Sequence, residues 1–202
     1  MTDRDLRGFQ NLEGLLFLRG LWYRFRLRST KLAWRARPKQ YIYAMILVTG
    51  GTGLLGSHLL MRLLEDGGQI RAIYRTEKKR DAVVNIFSYY HSNADELWQK
   101  IEWVEGDVLD VSSLTDAMMG VTQVYHCAAA VTFIPKEEPY MHKVNTEGTA
   151  NVVNACLNVP NVRLCHVSSV AAIGRDGSEG IIGEENEWKE SNQNAAYAIS
   201  KH

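Results

Sequence analysis

The chain of 202 residues is long enough for one domain or slightly more, and 46% hydrophobic with 23% charged residues excludes a wholly disordered polymer. Lys plus Arg equals Asp plus Glu at 23 each, yet residues 1–44 hold 10 basic against 3 acidic groups, and residues 45–202 hold 13 against 20. This asymmetry points to two segments of different role and argues against a main domain that binds nucleic acid. No apolar run approaches the ~20 residues of a membrane span; Gly14 to Leu18 stops at Arg19.

In the first 44 residues, Leu15, Leu18, Leu21, Trp22 and Phe25 fall near helical spacing, with Arg19, Arg24, Arg26 and Arg28 between them. Three readings fit: a basic amphipathic helix on an anionic membrane, a targeting presequence weakened by Asp3, Asp5 and Glu13, or an extension outside the fold. The last is favoured, with Met45 as the true first residue, because Met45 opens a strand directly.

Met45–Thr49 is an apolar run of strand length, followed by Gly50, Gly51, Gly53 and Gly56. Leu55, Leu59 and Leu63 recur at four-residue spacing up to Gly67-Gly68, which predicts a helix with a glycine stop. Gln69–Tyr74 reads as a second strand, and Lys78 to about Lys100 as helix. Ile101–Glu105 is a third strand, Ser112–Met119 a helix with Ser112 as N-cap, and Gln123–Cys127 a fourth strand. Met141, Val144, Gly148, Val152, Ala155 and Cys156 share one face of a helix over Met141–Leu157. Val162–Ser168 is a fifth strand. The polar, Gly-rich stretch Gly174–Asn194 reads as a surface loop, and a last helix begins near Ala195. Strands alternating with helices make parallel βαβ units and a doubly wound α/β sheet. Cys127, Cys156 and Cys165 form no CxxC pair and read as buried, reduced thiols of a cytoplasmic protein. His58, His91, His126, His142, His166 and His202 show no metal-ligand spacing, so no metal site is expected.

The glycine triplet Gly50, Gly53 and Gly56 stands between a strand and a helix, where each has a physical task. Gly50 permits the tight turn, Gly53 lets the backbone approach a pyrophosphate, and Gly56 lets helix and strand pack closely. The pyrophosphate then meets the free N–H groups of Thr52, Leu54 and Leu55 at the positive end of the helix dipole. A Gly-rich turn without a ligand is the bland alternative. The second strand runs into Arg75 and Thr76 rather than an acidic residue, and Lys78, Lys79 and Arg80 follow. A cation and a hydroxyl there suit the 2′-phosphate of NADP, since guanidinium grips phosphate in a fork; NAD remains open if these charges only decorate a solvated helix start.

From Met45 to His202 the chain resembles the extended short-chain dehydrogenase/reductases, the NAD-dependent epimerase/dehydratase family. TGGTGLLG resembles the family's cofactor loop, and Gly106–Val108 its adenine contact, with Asp107 accepting from the adenine amino group and Val108 packing on the ring. HCAAAV, with Cys127, Ala128 and Ala129, resembles the strand end beside the cofactor's ribose and nicotinamide. Asn145 stands where the family has a helix asparagine near the cofactor. HVSSVAAIG places Ser169 at the catalytic serine, with Ser168 before it, and YAISK supplies the Tyr-x-x-x-Lys pair Tyr197 and Lys201. Within the family, the closest similarity is to dihydroflavonol-reductase-like and hydroxysteroid-dehydrogenase-like members.

The chemistry follows from these residue types. Tyr and Lys four apart share a helix face. A phenol with an ordinary pKa of about 10 becomes a usable acid and base beside an ammonium. Ser169 would hold the substrate oxygen near Tyr197, and Lys201 the cofactor ribose, while hydride passes between nicotinamide and substrate. The resemblance thus implies an NAD(P)-dependent oxidoreductase acting on a carbonyl or secondary alcohol of a small organic substrate. Alternatives are a nucleotide-sugar epimerase with tightly held NAD, and a dinucleotide-binding module without turnover. Val170, Ala171 and Ala172 replace the acidic pair of the family's 4,6-dehydratases, and Ile173 replaces a tyrosine frequent in its epimerases. The family continues past this helix into a substrate-binding domain and a dimer surface. On this resemblance residues 45–202 form a Rossmann-type domain, incomplete at the C-terminus, whose full-length form is a homodimer. An uncovered sheet edge would make the fragment poorly soluble.

Overall fold

The computed structural model describes residues 15–18, 21–24, 45–173, 183–185, 188 and 195–202. The backbone divides into two units, 1–39 and 40–202. In the first, β1 (Leu15–Leu18) pairs antiparallel with β2 (Leu21–Arg24), in register from Leu15 opposite Arg24 to Leu18 opposite Leu21. This corrects the helical reading of that stretch. Four-residue runs are too short for a 3.6-residue period to outvote strand pairing.

The second unit is built on β3 (Met45–Thr49), β4 (Gln69–Tyr74), β5 (Ile101–Glu105), β6 (Val121–His126) and β7 (Arg163–His166), all parallel in the order β5-β4-β3-β6-β7. The chain winds outward from β3 through β4 to β5, then returns to the other side of β3. The carboxyl ends of β3 and β6 therefore flank the point where strand order reverses, where a crevice for a ligand opens. The central strand is apolar on both faces because both are covered. Leu47 belongs to a core with Val124, Leu114 and Val152, and Val48 to one with Leu60, Phe87 and Ile101.

The first of these cores is covered by α5 (Val111–Ala117) and α7 (Thr149–Leu157), the second by α1 (Leu54–Glu65), α3 (Val83–Ser88) and α4 (Ala94–Gln99). The segment expected as one helix from Lys78 is three: α2 (Glu77–Asp81), α3 and α4. Val83, Phe87, Ala94 and Leu97 from the last two pieces all pack in one core. Trp98 ties the pieces by donating from Nε1 to the Arg80 carbonyl at 3.2 Å. Asp110, not Ser112, caps α5: its Oδ1 accepts from the Ser112 N–H at 3.0 Å, so the helix starts one residue early.

The helix expected over Met141–Leu157 begins earlier as α6 (Glu138–Lys143) and opens into a wide π-turn at Val144–Gly148 before α7. Gly148 is there because a Cβ would lie 2.7 Å from Val108 Cγ2. The last helix, α8, is Ala196–Lys201. Most of the expected loop Gly174–Asn194 lies outside the described residues. Of the three free cysteines only Cys156 is buried; Cys127 is half-buried and Cys165 exposed on β7, the sheet edge. Among the described residues no helix is long and apolar enough to cross a membrane, and no three His, Cys, Asp or Glu gather as a metal site.

Candidate cofactor cleft and catalytic residues

The loop between β3 and α1 is shaped by positions that admit no side chain. Gly50 has φ +70°, and a Cβ there would sit 2.5 Å from the Ala128 nitrogen. A Cβ on Gly56 would lie 2.2 Å from the Gly50 carbonyl oxygen. The loop thus lies flush against the end of β6 and against its own helix, with Gly53 N–H donating to Gly50 O at 3.0 Å. At the start of α1, the N–H groups of Leu54, Leu55 and Gly56 have no partner within the helix, and no acidic side chain occupies its first turn. Leu54 and Leu55 are exposed, as is expected of residues covered only when a ligand lies across them. A cradle closed to Cβ atoms and open in N–H donors fits the pyrophosphate of a dinucleotide.

On one side of this loop lie Arg75, just beyond β4, and Asp107 and Val108, just beyond β5. Arg75 Nη1 donates to the Tyr140 hydroxyl at 2.5 Å and stands 3.7 Å from Asp107 Oδ2. Asp107 Oδ1 accepts from Leu109 N–H at 2.9 Å, which fixes the carboxylate. Val108 is buried against Gly148, so most of its surface serves the core. Of the basic residues after Arg75, Arg80 is committed elsewhere: it pairs with Asp81 at 2.8 Å and lies over the Tyr74 ring.

On the other side lie the carboxyl ends of β6 and β7 and the helix α8. Cys127, Ala128 and Ala129 follow β6. Burial pushes the Cys127 thiol up to about 11, so it is a neutral packing group rather than a nucleophile. Asn145, in the π-turn, spends its carboxamide inside the protein. Its Oδ1 accepts from Ala130 N–H at 2.8 Å, and its Nδ2 donates to Ala130 O and to Ser200 Oγ, each at 2.9 Å. Ser200 Oγ in turn donates to the Tyr197 carbonyl at 2.8 Å. Asn145 therefore braces the strand-end backbone against the helix that carries Tyr197 and Lys201.

Lys201 Nζ donates to the Val167 carbonyl at 3.2 Å, immediately before Ser168 and Ser169. Burial lowers its pKa. Ser169 Oγ accepts from Ala171 N–H at 3.2 Å, at the head of a 3-10 turn over Val170–Ile173. Under this end of the sheet His126 is fully buried, its Nδ1 2.7 Å from Thr49 Oγ1 and its Nε2 2.9 Å from Thr149 Oγ1. Both partners are hydroxyls, which can donate or accept, so the neutral ring that burial favours is satisfied at both nitrogens. Burial first, then His166 and Lys201, lower its pKa to about 3. His166 stacks on it with centroids 5.1 Å apart and is itself shifted down by burial.

The expected site residues thus form three stations along the carboxyl edge: Arg75, Asp107 and Val108; the glycine loop with Thr52; and Cys127–Ala129, Asn145, Ser168, Ser169, Tyr197 and Lys201. Tyr140, Ser200 and the Thr49–His126–Thr149 chain escape a reading of the sequence. Their partners are 65, 55 and 77 positions away for Arg75–Tyr140, Asn145–Ser200 and Thr49–His126, and no local motif marks them. A small cavity lined by Ile46, Leu63, Gly67, Gly68 and Gln123 lies at the opposite, amino-terminal end of the strands and takes no part.

Residues 46–202 match the family described as "NAD dependent epimerase/dehydratase family". The chain belongs to that family. Its members include the extended short-chain dehydrogenase/reductases. A "Putative dihydroflavonol 4-reductase" of Synechocystis sp. is 32% identical over 155 residues, which cover 77% of this chain and 41% of that protein. "Vestitone reductase" of Medicago sativa is 27% identical over 147 residues, 72% of this chain and 44% of the relative. Among solved structures, the Bordetella bronchiseptica enzyme WbmG in complex with NAD aligns with TM-score 0.62 and 26% identity, over 81% of this chain and 48% of the other. The chain therefore spans about two fifths of the length of the curated relatives.

Proposed function

We propose that residues 45–202 are the cofactor-binding domain of an NADP-dependent oxidoreductase that interconverts a carbonyl and a secondary alcohol on a small organic substrate. The observation that carries this reading is the hydrogen bond from Lys201 Nζ to the Val167 carbonyl, which puts the lysine of the Tyr-x-x-x-Lys pair beside the serine turn. Tyr197 is the proton donor and acceptor at the substrate oxygen. Lys201 supplies positive charge next to it and hydroxyl recognition of the cofactor ribose, and Ser169 holds the substrate oxygen. The nicotinamide cofactor supplies hydride when bound. Arg75 supports NADP over NAD. The exposed Val131, Phe133 and Val170, which follow the ends of β6 and β7, support an apolar organic substrate.

The nucleotide-sugar epimerase reading has one observation in its favour, the likeness to the Bordetella enzyme WbmG, solved "in complex with NAD and UDP" at 27% identity and TM-score 0.60. It predicts retained NAD and no net redox change.

The 202 residues alone are expected to be inactive, so the test is NADPH-dependent reduction of a panel of aryl and alicyclic ketones by the protein extended at its C-terminus to the length of its relatives, against Tyr197→Phe in that same longer chain. The expected loss of rate in the variant is roughly a hundredfold or more, the size of a general-acid contribution. Equal rates would remove Tyr197 from the chemistry.

A further inference from the structure

We propose that Tyr140 determines specificity at the adenosine end of the cleft, its phenol joining Arg75 in a two-point grip on a phosphomonoester at the ribose 2′ position. The proposal rests on the NADP reading above and names a residue that the family motifs do not contain.

The geometry is that of a shared anion site. Arg75 Nη1 donates to the Tyr140 oxygen at 2.5 Å, so the phenol accepts through its lone pair and keeps its own hydrogen for another acceptor. The guanidinium has four further N–H groups, and its second neighbour, Asp107 Oδ2, is 3.7 Å away, too far for a close hydrogen bond. Both side chains are half-exposed, Arg75 at 50% and Tyr140 at 50%, so both are reachable from the cleft. They come from different walls: Arg75 follows β4, and Tyr140 lies on α6 across the carboxyl edge of the sheet.

A planar cation hydrogen-bonded to a phenol is partly pre-oriented, so less side-chain freedom is lost when phosphate arrives. Phosphate accepts from the guanidinium in a fork and from the phenol hydrogen, both charge-assisted contacts. The other basic side chain that packs near this strand end, Arg80, is spent on Asp81 and Glu77. A ligand with a free 2′-hydroxyl offers this pair a neutral oxygen in place of a charged phosphate, and lacks the charge-assisted contact to Tyr140.

The experiment is calorimetric titration of the full chain, Tyr140→Phe, Arg75→Ala and the double variant with adenosine 2′,5′-bisphosphate and, in parallel, with 5′-AMP. Circular dichroism of each variant establishes that it is folded. Tyr140→Phe keeps the ring and removes only the hydroxyl. It is expected to weaken the bisphosphate roughly ten- to hundredfold, the worth of one hydrogen bond to a charged group, and to leave 5′-AMP unchanged. In the Arg75→Ala background the same change should have a smaller effect, because the two residues act on one phosphate. Bisphosphate binding lost in Arg75→Ala but intact in Tyr140→Phe overturns the Tyr140 proposal alone. A wild-type chain that does not prefer the bisphosphate to 5′-AMP overturns the NADP reading, and this proposal with it.

Discussion

Asn145 and His126 do their work by holding other groups in place. Asn145 makes three hydrogen bonds while 4% exposed, to the strand-end backbone and to the helix of Tyr197. Asn145→Ala takes the partner from the part-buried Ala130 N–H and carbonyl, and chemical denaturation should register a loss of about 1–3 kcal/mol. His126 makes a pH prediction whose sign is fixed by its environment. Its folded pKa is about 3 against 6.5 for the free side chain, so between those values the unfolded chain binds the extra proton. Its stabilising contribution is full above pH 6.5 and is lost as pH falls toward 3, at ~1.4 kcal/mol per pH unit. His166 is shifted in the same direction, so His126→Gln should flatten the stability profile over that window without levelling it. An unchanged slope in the variant would mean that the histidine is solvated.

At the scale of elements, the strands and the glycine loop were legible because their signals are local. Met45–Val48 is apolar because both faces of the strand are covered, and Gly50 and Gly56 are dictated by contacts a Cβ would violate. The breaks between α2, α3 and α4 were not legible. Ala82 carries the helical backbone that its sequence favours, and Val83, Phe87, Ala94 and Leu97 keep helical spacing across the breaks, so no local signal marks them. The β1–β2 pairing was missed although Gly20 between two short apolar runs was an available hairpin cue; interleaved arginines mimic an amphipathic helix equally well. A second element-scale prediction concerns Arg71 on β4. It is 12% exposed, forks to Glu102 on β5 at 2.9 and 3.1 Å, and donates at 2.7 Å to the Ala117 and Met119 carbonyls at the end of α5. Arg71→Met should cost about 1–3 kcal/mol in thermal or denaturant unfolding, because it leaves the part-buried Ala117 carbonyl without its donor. Gly56→Ala should abolish dinucleotide binding while the sheet persists, since its Cβ collides only with the loop.

For the whole molecule, the winding order of five parallel strands gathers residues scattered from Gly50 to Lys201 along one edge. The catalytic candidates were legible as motifs in the sequence. Their braces were not, because a hydrogen bond between Asn145 and Ser200 exists only once the sheet has brought α8 beside the π-turn. The arrangement makes one central claim: the carboxyl edge binds a nicotinamide dinucleotide across the glycine loop, with its adenosine toward Arg75. Parallel fluorescence titrations of the full chain and of Arg75→Ala with NADPH and NADH test it most directly. The wild-type chain is expected to bind NADPH at least about tenfold more tightly than NADH, and Arg75→Ala to erase the difference by weakening NADPH alone, as loss of a charge-assisted fork requires. Equal or tighter NADH binding would contradict the placement of the 2′-phosphate, and a folded chain that binds neither would contradict the cleft itself.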